Sequence, residues 1–220
     1  MECFTVLADE IEGRLNAYYY KPYFTKCVHD LQKSKFKILN LKEICVKVTD
    51  GTHFTPKYLQ SGIPFLSVKD VRENNISFED TKFISFEEHK KLIKRCKPEP
   101  EDILLTKIGT IGLAAVISKN IPEFSIFVSV ALLKIDKTKA NPDYVCAYLN
   151  SKYSKIQMGR ILKGIGVPDL HLEDISEIKI PLPPIETQNK IVQLMDKAYS
   201  QKKQKESEAQ KLLDSFNDYI

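Results

Sequence analysis

Ile178-Lys179-Ile180-Pro181-Leu182-Pro183-Pro184-Ile185 divides the chain into two kinds of sequence. Before the prolines, Ile175 to Pro181 reads as a last strand. Pro181-Leu182-Pro183-Pro184 stops it, because proline withholds an amide from a ladder. After Pro184 helix-favouring residues run to the end. Ile191, Met195, Ala198, Lys202, Lys205, Ala209, Leu212, Phe216 and Tyr219 follow one another in steps of four and three, the a/d spacing of a coiled coil. Roughly 33 residues of helix reach on the order of 50 Å at 1.5 Å per residue. Lysines fill the middle of the stripe; polar seam positions fix register at a cost in stability. So long a rod outreaches the rest of the chain, so 186–220 is predicted to be a dimerisation and spacer helix. The competing reading is an amphipathic helix folded back on its own domain.

Charge divides at the same place. Residues 186–220 carry six lysines and six acidic residues; of 33 Lys+Arg and 29 Asp+Glu in the whole chain, that leaves 27 and 23 in 1–185. All of the +4 excess therefore sits in the body. A basic body with a neutral tail suits a polyanion-binding domain joined to a protein-binding element. With 43% hydrophobic and 28% charged residues, the chain can bury a core.

Working back from the prolines, Asn141-Pro142-Asp143 starts a helix through about Met158, with Asn141 as cap and Pro142 in the first turn. From Val46 to about Asp136, β-prone segments alternate with turns. These are Ile63–Val68, Ile76–Phe78, Lys82–Ile84, Asp102–Lys107, Leu113–Ile117 and one or two strands within Phe124–Ile135. Ser85 caps a short helix, with Glu88 at the capping-box position. Leu41-Lys42-Glu43-Ile44-Cys45 is a short turn or helix, and Glu2 to about Lys35 is mostly helical, interrupted by Tyr18-Tyr19-Tyr20 and Pro22. The fold class is α+β: one domain over 1–185, including an N-terminal helical segment 1–40, with a curved mixed sheet and helices around it.

Chemistry-bearing patterns are missing. His29, His53, His89 and His171 are far apart and form no HExxH or HxH pattern. No GxSxG, P-loop or PD…(D/E)xK pattern occurs, and Gly109-Thr110-Ile111-Gly112 reads as a hairpin turn. Asn141-Pro142-Asp143-Tyr144 lacks the second proline of an adenine-methylase motif. The five cysteines are scattered with no CxxC, so neither a disulfide framework nor a zinc site is expected. No apolar run of about 18 residues exists, so no transmembrane helix is expected. The acidic start Met1-Glu2-Cys3-Phe4-Thr5 is unlike a secretory signal, and a cytoplasmic, non-enzymatic binding protein is the expectation.

In order along the chain, several segments resemble the specificity subunits of type I restriction–modification systems. Leu41-Lys42-Glu43-Ile44 resembles the lead-in to their target-recognition domain. Asp50-Gly51-Thr52-His53-Phe54-Thr55-Pro56 is similar to a DGtHxtP loop. Gly62-Ile63-Pro64-Phe65-Leu66 with Lys69-Asp70-Val71 resembles the strand and turn that follow. Glu101-Asp102-Ile103-Leu104 with Gly109-Thr110-Ile111-Gly112 matches GDil…GtiG, with Glu101 in place of glycine. Asp143 to Ser151 resembles the following helix. Ile178 to Ile185, with Gln188 and Ile191, matches the closing i.iplPPl..Q..I. Thr187 stands where the family has glutamate.

The resemblance implies a non-catalytic chain that reads DNA. Such subunits carry two recognition domains joined by antiparallel helices, so this chain looks like a half subunit, and pairing of two copies through Ile191, Met195, Ala198, Ala209, Leu212, Phe216 and Tyr219 rebuilds the whole; the other reading is a fragment or allele of a longer gene. Implied partners are double-stranded DNA, an adenine-N6 methyltransferase subunit that holds the S-adenosylmethionine, and a restriction subunit; no cofactor or metal is expected on this chain, nor a membrane. Candidate DNA contacts are Thr52, His53 and Lys57 in the first loop, Lys69 and Arg72 after the next strand, Lys107 and Thr110 at the glycine turn, and Lys163, Gly164 and His171 near the last loop. Lysines and arginines would hold phosphates, while His, Thr or Arg would read bases. The alternative is an interaction module or decoy that occupies a methyltransferase subunit without reading DNA.

Overall fold

The computed structural model describes residues 3–11, 15–162 and 166–217. Lys163, Gly164 and Tyr219 lie outside them. In chain order the elements are α1 (Pro22–Gln32), β1 (Lys37–Asn40), α2 (Leu41–Ile44), β2 (Cys45–Asp50), β3 (Ile63–Leu66), β4 (Val71–Arg72), β5 (Asn75–Ile76) and β6 (Lys82–Ile84). They continue with α3 (Phe86–Leu92), β7 (Ile103–Thr106), β8 (Ala114–Val116), β9 (Ser125–Ile126), β10 (Val130–Ile135), α4 (Pro142–Leu149), α5 (Lys152–Ile161), α6 (Leu172–Ser176), β11 (Lys179–Leu182) and α7 (Ile185–Asn217).

The centre is an antiparallel sheet in the order β2-β10-β7-β8. Strands β7, β8 and β10 are apolar at consecutive positions because both of their faces are covered. Ile103, Leu105, Ala131 and Leu133 face a core closed by α2, α4 and α6, while Leu104, Val130 and Leu132 face Leu66, Phe124 and Ile126. A bulge between Lys134 and Ile135 bends β10 against β2. Across the second face lies a mixed sheet, β6-β3-β9, in which β3 and β9 are parallel. The expected curved mixed sheet is thus divided into separate sheets, with two-stranded β1–β11 and β4–β5 pairs beside them.

Three sequence expectations are corrected. Ile175 belongs to helix α6, because Ile175 and Ile178 are buried three positions apart on the core face, and the strand begins at Lys179. The helix expected from Asn141 to Met158 is two helices. Asn150 ends the first because its side chain is clamped on β8: Oδ1 accepts from Ala114 N at 2.9 Å and Nδ2 donates to Ala114 O at 2.9 Å. Ser151 then caps α5. Near the N-terminus, Ala8–Glu10 forms one 3-10 turn where a helix was expected, and Leu7, Ile11 and Leu15 are exposed, so their apolar surface is not buried as a helix stripe needs for stability. The rest of the segment is anchored, α1 burying Phe24, Cys27 and Leu31 against Ile156, while the Arg160 guanidinium stacks 3.7 Å from the Tyr19 ring.

Glu101 takes φ +72°. That left-handed conformation explains the glycine of the resembling pattern, since an L side chain pays roughly 1–2 kcal/mol there. Its ion pairs with Lys119 and Lys137 are half-exposed, and such pairs contribute little. Glu101→Gly is expected to raise stability by about 1 kcal/mol, a gain of about 2–4 °C in melting midpoint for a chain of this size. An unchanged or lower midpoint in a thermal scan contradicts this.

Helix α7 has two parts. Gln188, buried, accepts at Oε1 from Asn141 N (2.8 Å) and donates from Nε2 to Pro183 O (2.8 Å). Ile191 and Val192 pack on the central core, and the Tyr199 hydroxyl donates to Glu73 (3.1 Å). From residue 200 to 216 every position is exposed.

Candidate nucleic-acid interface

At one end of the central sheet, three segments converge. The loop after β2 is stitched to the β9–β10 connection: Thr52 N donates to Ile126 O (3.1 Å) and Val128 N to Thr52 O (3.0 Å). Gly51 is required by that approach, because a Cβ there would sit 2.0 Å from Ile126 O. Its role is close packing, for its φ is not in the left-handed region that favours glycine. Beyond β7, Lys107 N donates to Ser129 O (2.9 Å). Leu170 N donates back to Lys107 O (2.8 Å) and Gly109 N to Pro168 O (3.0 Å), which lays the stretch 166–171 over the β7–β8 turn. Gly109 and Gly112, both at φ +81°, shape that turn.

Asp50 sits at the centre, 3% exposed. Arg95 Nη2, from just beyond α3, donates to its Oδ1 (3.0 Å) and to its backbone oxygen (2.8 Å), and also to Gly51 O. His53 Nε2 lies 3.3 Å from both carboxylate oxygens. Lys107 Nζ lies 3.8 Å from Asp50 Oδ2 and 3.4 Å from Asp169 Oδ1. His171 Nε2 is 3.7 Å from the other oxygen of Asp169. Buried charges persist only when paired, and this alternating chain of cations and carboxylates pairs them. An open groove of about 340 Å³ lies alongside, floored by Leu92, Cys96 and Ile126 and rimmed by His53, Phe54 and Arg95. Burial pushes the Cys96 thiol up to about 11, so the floor is uncharged.

Residues 33–212 match the family described as the type I restriction modification DNA specificity domain. The chain belongs to this family. It is 25% identical to the EcoKI specificity subunit of Escherichia coli (strain K12) over 178 residues, 77% of this chain and 37% of that protein. To the EcoBI specificity subunit of Escherichia coli it is 25% identical over 142 residues, 64% of this chain and 30% of that protein. The specificity domain thus spans under two-fifths of the length of these curated relatives. Its fold recurs in the HsdS subunit from Thermoanaerobacter tengcongensis, with a TM-score of 0.57, 16% identity, and coverage of 78% of this chain and 44% of that one.

In the specificity domain, Thr52, His53, Lys107, Thr110 and His171 share the loop end. His53, Thr110 and His171 are exposed, as is Phe54 (84%), but Lys107 is buried at 5%. Lys57 is exposed further along the first loop. The Lys69 ammonium donates to Asp80 O (2.5 Å). Arg72 is not brought to this end: its β4–β5 hairpin lies against β8 and, through Glu73, against Tyr199 of α7. Of the proposed seam, Ile191 and Met195 turn toward their own body, whereas Ala198, Ala209, Leu212 and Phe216 face solvent. Arg95, Asp50 and Asp169 were not singled out in sequence. Asp50 opens the quoted DGT loop, which was a signal; Arg95 follows a helix and offered none. Among the described residues no three His, Cys, Asp or Glu side chains gather as a metal site, and no helix is long and apolar enough to cross a membrane.

Proposed function

We propose that the specificity domain reads one half of a split double-stranded DNA site and performs no chemistry itself. The observation that carries this reading is the convergence of three loops at one sheet end, with His53, Phe54, Thr110 and His171 exposed around a centre of paired charges. Histidine and threonine offer the donors and acceptors that base edges require, and Phe54 offers an apolar face. Residues 1–185 form the reading body and 186–220 the spacer. The body docks an adenine-N6 methyltransferase subunit, which holds S-adenosylmethionine and receives the flipped base, and through it a restriction subunit in the cytoplasm. Two copies pair along the exposed stripe that includes Leu212 and Phe216, 73% and 62% exposed. A twofold pair reads a palindromic split site, since half-site symmetry follows protein symmetry.

Selection from a random duplex pool, with the chain and its methyltransferase, tests this. The expected product is a palindrome split by a fixed gap. Leu212→Asp with Phe216→Asp is expected to give a monomer in sedimentation and to reduce the selected motif to a single half. Absence of any enriched motif removes the reading; a dimer that survives both substitutions removes the pairing.

A further inference from the structure

Lys107 sits where a phosphate contact would be sought, yet its surroundings point elsewhere. Its side chain is 6% exposed, between Asp50 Oδ2 at 3.8 Å and Asp169 Oδ1 at 3.4 Å. Both carboxylates belong to segments far from it in sequence, and each also meets a histidine: His53 on Asp50 (3.3 Å), His171 on Asp169 (3.7 Å). The ammonium is thus the middle of one line, His53–Asp50–Lys107–Asp169–His171. Its two ends are solvent-exposed, with side-chain exposures of 62% and 46%, while Asp50 and Lys107 are buried.

We infer that Lys107 is a positioning residue that spans the loop end and fixes the separation of His53 from His171, rather than neutralising a phosphate. The main chain already ties Lys107 to Leu170, through Leu170 N (2.8 Å), and to Ser129 (2.9 Å). The first loop is tied to Lys107 by main chain only indirectly, through the β9–β10 connection; what the side chain adds is a direct link to Asp50. Only a long cation reaches both carboxylates. Arg95 approaches Asp50 alone, from the α3 side, and does not connect the two loops. A buried, doubly paired ammonium releases no counterion when DNA arrives, so it contributes nothing to the salt dependence of binding. Its effect falls on the groups it holds in place, and base-reading side chains tolerate little displacement.

This inference rests on the DNA-reading proposal, and the test separates the two. Lys107→Met keeps length and removes charge; Lys107→Arg keeps charge and misplaces it. In duplex selection, both are expected to lose about tenfold or more in enrichment of the best duplex over the random pool, the scale of one misplaced base contact. Neither is expected to change the slope of log affinity against log salt. A slope reduced by about 1 in Lys107→Met, with selectivity intact, makes Lys107 a phosphate contact and overturns the inference. Unchanged selectivity in Lys107→Arg overturns it as well, and covers the case in which the methionine variant does not fold. Should the unsubstituted chain select no duplex, the DNA-reading proposal falls, and amide exchange on the protein alone still tests the span. Residues 50–54 and 169–171 are expected to exchange faster together in both variants; faster exchange in one segment only, or in neither, overturns it.

Discussion

Gly51→Ala is expected to lower the melting midpoint by about 10 °C and to abolish duplex selection. The added Cβ would lie 2.0 Å from Ile126 O, 2.3 Å from Ile126 C and 2.5 Å from Phe127 C. These are backbone atoms, so no side chain can rotate away. Relief requires moving the 50–52 segment off the β9–β10 connection. That move breaks the pair of hydrogen bonds between Thr52 and the Ile126–Val128 stretch and shifts Asp50 from Arg95 and Lys107. Overpacking and loss of a buried charge network are the mechanisms that give large losses, and about 3–5 kcal/mol is the scale expected. At about 2–4 °C per kcal/mol the midpoint falls by roughly 10 °C. Differential scanning calorimetry and the same random-pool selection measure both effects; a variant within about 2 °C of the parent, a shift worth under about 1 kcal/mol, contradicts the packing argument.

Gln188→Leu is expected to cost about 2–4 kcal/mol and to release the first turns of α7. Leucine matches the volume but leaves Asn141 N and Pro183 O without partners in a buried site, each worth about 1–3 kcal/mol when orphaned. The loss is local to the joint between α4 and α7, where Asn141 Nδ2 also donates to Asn189 (2.8 Å). Amide exchange is therefore expected to rise over 184–199 and to stay unchanged in β7 and β10, and proteases should cut near Pro183. Uniform destabilisation across the central sheet would show that the glutamine supports the body as a whole and not the joint.

What the sequence made legible follows from how local each cause is. The strand Ile103–Thr106, and one or two strands within Phe124–Ile135, were readable because burial on both faces demands apolar runs such as Ile103–Leu105 and Val130–Leu133. Ser85 and Asn141 were readable as caps because a cap bonds residues two or three positions on, and Ser85 Oγ does accept from Glu88 N (3.1 Å). The stripe of the tail is periodic and needs no partner to be seen. Nothing local, by contrast, marks Asn150 as a helix stop; its reason lies on β8. The parallel β3–β9 pair is a long-range contact with no periodic signature. At the site, His53 and His171 were identifiable as polar residues in loops, but the carboxylates that hold them were not. Lys107 looked like a surface lysine beside a glycine turn because its partner Asp169 is 62 positions away. Arg95 was invisible for the same reason.

The division of α7 into an anchored and a projecting part has a mechanical meaning. Residues 200–217 extend roughly 27 Å past the last anchoring contact, at 1.5 Å per residue. The far end is therefore a pointer: tilting the root by about 10° swings the tip by about 5 Å over that length, more than one base-pair step. The groove under Val192, Met195 and Tyr199 is the pivot of that pointer. Under the pairing proposed above, changes there would retune the distance between the two bodies while leaving untouched the loop side chains proposed to read bases.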